Sequence, residues 1–282
     1  MEPTFFLIYT ILVTFVLKDH LQVYLILSSL YFVLNKLLAL SWEINFAGII
    51  AIFGVLFLLS CLLTIEIQGE ANEMFLLFFF GLIGLIVASE TDSLLTIGLG
   101  LELQAFCGYI LLSICGTLRS AESALKYFLI GVIATSIYFL GLVFLPTLNL
   151  LPLTLDQSGQ RIDEFNESVL GIMLIIIAFL FKIGAAPFHL WMPEAYQTAS
   201  YSVLLYLLVL PKIYLFFILY NLIALCKMNH MIILSILISA VIGASFALLQ
   251  TKIKAFLAYT IIFNNAFFLA LSWVNTNTTS CF

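Results

Sequence analysis

The chain has 282 residues, of which 64% are hydrophobic and only 9% charged, with a mean hydropathy of +1.21 and a formal net charge of −5. A soluble domain carries roughly a quarter of its residues as charge, so this composition excludes a water-soluble fold and calls for a bilayer. The small acidic balance, with no basic run, gives no footprint for nucleic acid.

Spanning the hydrocarbon core takes about 20 apolar residues. Ten candidate spans follow one another, at 3–17, 21–40, 44–66, 74–89, 93–115, 121–148, 168–195 (interrupted), 200–224, 230–249 and 253–275. The pattern predicts an all-α, polytopic transmembrane helical bundle, with residues 1–282 as one membrane domain. The opening MEPTFF lacks the positive n-region of a signal peptide, so the first span is expected to be kept. Connections are short and polar, except for an acidic one at about 149–167. The five cysteines, Cys61, Cys107, Cys115, Cys226 and Cys281, include no C-x-x-C pair. They read as thiols without a disulfide framework, metal site or iron–sulfur cluster.

Four charges inside the spans stand out. Glu102 is centred in SLLTIGLGLELQAFCGYILLSIC, and Lys126 lies a turn or two into SALKYFLIGVIATS. Lys182 is the second residue of FKIGAAPFHLWMPEAYQ, and Lys212 is centred in LLYLLVLPKIYLFFILY. Each charge at the bilayer centre costs about 2.5–3.5 kcal/mol on insertion scales. The four are therefore expected to face one another or hydrated cavities. Low dielectric disfavours the ionised forms and a nearby opposite charge restores them, so such a set can pass protons. For Lys126, near a helix end, a structural salt bridge or snorkelling is an equal alternative; Lys36 is expected to snorkel.

Proline removes a backbone donor and strains the preceding turn. Pro187 and Pro193 are expected to break the span that holds Lys182, with freed carbonyls holding water beside its ammonium. Pro211, directly before Lys212, repeats the device. His189 is a candidate relay or a structural histidine, and with Glu194 alone it makes no metal site. Gly81, Gly84, Gly98 and Gly100 are candidates for close helix approach.

Four stretches carry a resemblance: GLELQAFCGYILL around Glu102, SAESALKYFLIGVIATS around Lys126, FKIGAAPFHLWMPEAYQ around Lys182, and KIKAFLAYTIIFNNAF from Lys252. In these the chain resembles the NADH dehydrogenase subunit 2 family of respiratory complex I, the counterpart of the bacterial antiporter-like N subunit. The resemblance covers about residues 74–270. It implies that Glu102 matches the glutamate of the fifth helix, and Lys126 the lysine of the sixth. Lys182 matches the lysine of the broken seventh helix, and Lys212 that of the eighth. Asn264 stands near the place of a family histidine, where it can hydrogen-bond but not titrate.

By the same resemblance, residues 1–66 are three N-terminal helices. Residues 74–224 form a first antiporter-like repeat, and 230–275 the start of an incomplete second one. The implied function is proton translocation in the membrane arm of a mitochondrial inner-membrane NADH:ubiquinone oxidoreductase. No cofactor is implied on this chain: NADH, flavin, iron–sulfur clusters and ubiquinone are used by other subunits. Implied partners are other membrane-arm subunits, lipids, and a separate polypeptide supplying further C-terminal helices. The alternatives are a standalone cation/proton antiporter subunit and a structural brace of the arm.

Overall fold

The structure is a computed structural model and describes residues 71–91, 93–145, 167–225 and 229–279. The three N-terminal spans and the acidic connection lie outside the described residues. Within them stand eight helices: α1 (Ala71–Glu90), α2 (Leu94–Ser113), α3 (Leu118–Val143), α4 (Glu167–Ile183), α5 (Trp191–Thr198), α6 (Tyr201–Leu225), α7 (Asn229–Leu248) and α8 (Ile253–Thr279). Among the described residues five stretches are long and apolar enough to cross a membrane, and Leu76–Ser89 and Val169–Ile183 are shorter apolar helices. A helix lies at each expected span from residue 74 onward, and the interrupted one resolves into α4 and α5.

Local chemistry sets the boundaries. Gly116 takes φ +63 after α2, a left-handed conformation that glycine adopts without a Cβ penalty. Thr117 then caps α3. Its side chain accepts from Ser120 N at 3.1 Å, while the Ser120 hydroxyl accepts from Thr117 N at 3.1 Å. This reciprocal capping box starts α3 at Leu118, three residues ahead of the expected 121.

Helices pack through small residues. A Cβ on Gly84 would stand 2.7 Å from the Gly100 carbonyl oxygen, and one on Gly100 2.5 Å from that of Gly84. The α1 and α2 backbones therefore touch, as small residues at membrane helix contacts permit. Gly141 and Gly171 make the same contact between α3 and α4, at 2.8 and 2.7 Å. Two tyrosines tie distant helix ends: Tyr138 donates to Leu94 O at 2.5 Å, and Tyr214 donates to Ala88 O at 2.6 Å. The core centres on α4, α5 and α6, where Phe179, Tyr196, Tyr206 and Tyr214 are buried. The outer face of α3 leaves Leu125, Leu129, Ile133 and Val143 exposed, as suits a bilayer or a neighbouring chain.

Candidate functional site

Glu102 and Lys182 meet. α2 carries the carboxylate and the last turn of α4 the ammonium, with Lys182 Nζ 2.7 Å from Glu102 Oε1. Their side chains are 17% and 13% exposed respectively, so little solvent weakens the pair. In such surroundings each ion depends on the other, because a buried charge without a partner is strongly unfavourable.

The break after Lys182 has a different cause from the one expected. α4 ends at Ile183, and Gly184 takes φ +73. Ala185 N donates to Leu180 O at 3.1 Å and Gly184 N to Phe181 O at 3.2 Å. Those two bonds form a Schellman motif, which closes a helix with a left-handed residue. Pro187 lies three residues beyond, exposed and outside any helix. Pro193 occupies the first turn of α5, where the missing N–H would have no intrahelical partner. The prolines thus flank an interruption that Gly184 makes.

Nor are the Phe181 and Ile183 carbonyls at this helix end left for water. Trp191 Nε1 donates to Phe181 O at 3.2 Å, and Asn265 Nδ2 donates to Ile183 O at 3.2 Å. Asn265, on α8, is 2% exposed, whereas the expected Asn264 is exposed. The helical turn swings adjacent residues about 100° apart, so only one of the two asparagines reaches the break.

Lys212 is 7% exposed in mid-α6, beside the buried Pro211 inside that helix. Its Nζ lies 3.9 Å from Met192 Sδ and 5.8 Å from the centre of the Tyr196 ring. Among the described residues no carboxylate is within ion-pair distance of it. Pro211 withholds the donor that the Leu207 carbonyl would otherwise receive. Lys182 and Lys212 line one cavity of about 30 Å³, together with Gln104, Tyr109, Tyr127 and Tyr196. That volume has room for a water or two.

The other candidates stand apart. Lys126 Nζ is 2.7 Å from Glu194 Oε2 and 3.0 Å from Glu122 Oε1, in a half-exposed cluster where α3 meets α5. It does not line the cavity, and its geometry is that of the salt-bridge alternative. His189, in the connection between α4 and α5, is buried, and its Nδ1 has no hydrogen-bond partner among the described residues. It too is absent from the cavity wall.

A buried ion pair at a broken helix, sharing a cavity with a second lysine, can be compared with known proteins. Residues 91–280, more than half of the chain, match the family described as NADH:quinone oxidoreductase/Mrp antiporter, TM. The chain belongs to this family. NADH-quinone oxidoreductase subunit N of Alkalilimnicola ehrlichii is 34% identical over 223 residues, covering 75% of this chain and 46% of the relative. NADH-ubiquinone oxidoreductase chain 2 of Dictyostelium discoideum is 33% identical over 218 residues, covering 73% and 44%. The chain thus spans less than half the length of these curated relatives. Respiratory complex I from Thermus thermophilus contains a chain similar in fold, with TM-score 0.79 and 24% identity, covering 96% of this chain and 63% of that one. At that identity the likeness speaks for the antiporter-type fold alone.

Glu102 on α2, Lys182 on α4 and Lys212 on α6 are brought together by the ion pair and the shared cavity. Gly184, Asn265 and Tyr196 are the neighbours that sequence reasoning missed. The signal for Gly184 was legible, since glycine after an apolar helix with proline three residues on is a helix-stop pattern.

Proposed function

We propose that this chain is a proton-translocating membrane-arm subunit of a mitochondrial NADH:ubiquinone oxidoreductase. The observation that carries the reading is the enclosed Glu102–Lys182 pair at 2.7 Å, opening on a cavity shared with Lys212. The ion pair holds the proton of Lys182 in place while Glu102 faces it. When Glu102 moves its charge away, the Lys182 ammonium loses its partner, and a second amine waits on the same cavity. The proton passes to Lys212 and onward, and Lys182 is reloaded from the matrix side as Glu102 returns. In this reading electron transfer from NADH to quinone takes place on other subunits, which hold the flavin, the iron–sulfur clusters and the quinone site. This chain binds none of them and supplies the proton path. The names of its relatives support the assignment, and the Dictyostelium relative supports the mitochondrial setting.

Other membrane-arm subunits are its partners, and a separate polypeptide carrying further antiporter-type helices is part of the same proposal. A cation/proton antiporter subunit is the second reading, favoured by the family's inclusion of Mrp antiporters. Lys182→Met in the assembled complex tests the function. Protons pumped per electron should fall sharply. Pumping at the wild-type ratio would remove Lys182 from the path and the reading with it.

A further inference from the structure

The ion pair leaves unexplained what joins the two lysines across their shared cavity. Tyr196 stands there. It is completely buried on α5, and its hydroxyl makes no hydrogen bond to the protein among the described residues. A buried hydroxyl left in that state costs about 1–3 kcal/mol, and such groups in folded proteins are normally satisfied by ordered water when no protein atom serves. The space for a water is present, since Tyr196 lines the cavity of about 30 Å³ that also touches Lys182 and Lys212. The partners that hold a water are present too, because a buried water needs two to four polar groups.

The ring is held firmly. Tyr196 packs edge-on against Trp191, with centroids 6.3 Å apart, and Trp191 stacks on Tyr127 at 4.5 Å. Its face receives Lys212 Nζ at 5.8 Å. Trp191 is in turn fixed by its bond to Phe181 O, one residue before Lys182. Through Trp191 the Tyr196 ring is tied to the turn that carries Lys182, and through its face to Lys212.

We infer that Tyr196 is a positioning residue: its hydroxyl holds a water in the cavity between Lys182 and Lys212, and that water carries the proton from one amine to the other. The transfer balances without any redox partner. The Lys182 ammonium gives a proton to the water, and the water gives one to the Lys212 amine. Tyr196 itself keeps its proton and fixes the water by hydrogen bonding. The inference rests on the proposed proton path and adds a residue to it.

The test is Tyr196→Phe in the assembled complex, reconstituted into vesicles. This variant keeps the ring, its contact with Trp191 and its face toward Lys212, and removes only the hydroxyl. NADH-driven proton pumping should slow about 10-fold, the scale on which one hydrogen bond lost from the transfer barrier acts. Its solvent deuterium isotope effect should rise, because transfer between the lysines becomes limiting. A purely structural role would lower the amount of assembled complex and leave the isotope effect unchanged. Wild-type pumping, or slower pumping with an unchanged isotope effect, would overturn the role.

The second measurement is a high-resolution density map of the wild-type complex, which reads the site whether or not the variant assembles. Density for a water within hydrogen-bond distance of Tyr196 Oη supports the inference. A dry cavity, or a direct protein partner on that hydroxyl, overturns it. If Lys182→Met leaves pumping intact while the map shows the water, the proposed path fails and the water site stands. If Lys182→Met stops pumping while the cavity is dry, the path stands and Tyr196 fails.

Discussion

Lys182 and Glu102 show how one contact can serve both stability and function. Held 2.7 Å apart and nearly enclosed, each group is the reason the other can stay ionised in the membrane. Removing either partner alone leaves a buried charge uncompensated, at a cost of about 3–5 kcal/mol. Glu102→Gln and Lys182→Met should each lower the thermal stability of the assembled chain, and the double variant should lose less than the sum of the two. Additive losses in that double-mutant cycle would mean that the two side chains act independently. The sequence made these two residues legible because a charge in an apolar span stands out against its surroundings. Tyr196 did not stand out, since tyrosine is common at membrane depth and only an unpartnered hydroxyl beside a cavity distinguishes it. Lys126 already stood apart in sequence, because its place near a helix end made a salt bridge an equal alternative. Its position a turn or two into α3 puts it within reach of Glu122 and Glu194 at the surface of the described bundle.

Among the elements, the broken pair α4 and α5 is the one whose details the residues predicted least well. Its existence was readable from the run FKIGAAPFHLWMP, but two prolines drew attention from the glycine that does the work. Gly184 adopts φ +73, and a Cβ there would lie 2.1 Å from Met192 Cε, so both conformation and space favour glycine. The asparagine contact was similarly close to legible. Asn265 is three residues from Ile262 and four from Leu269, both fully buried, so helical periodicity puts it on the inner face of α8. Asn264 falls on the outer face with the exposed Phe268 and Leu271. Asn265→Leu should therefore strip the Ile183 carbonyl of its donor and destabilise the break by about 1–3 kcal/mol. Asn264→Leu should change stability little, within about 0.5 kcal/mol. Thermal inactivation of the two variants side by side checks this, and equal losses would contradict the assigned contact. The spans themselves were easier to read, because about 20 apolar residues between polar turns leave few other options.

At the scale of the whole molecule, an enclosed ion pair beside a cavity moves protons only if something moves its charges. On the proposed function, the chain is one part of a larger assembly in which electron transfer elsewhere drives protons here. Composition alone put the chain in a bilayer. The proposed assembly was not legible from composition or spacing; it entered through the resemblance of four stretches, and the names of the relatives support it. The most direct test is a mild-detergent native purification, with in-gel NADH oxidation and intact-mass analysis of the active band. The account predicts this chain in that band, beside other membrane-arm subunits and a polypeptide bearing further antiporter-type helices. Migration away from NADH oxidation, alone or with sodium-dependent flux after reconstitution, would contradict it and leave the antiporter reading in its place.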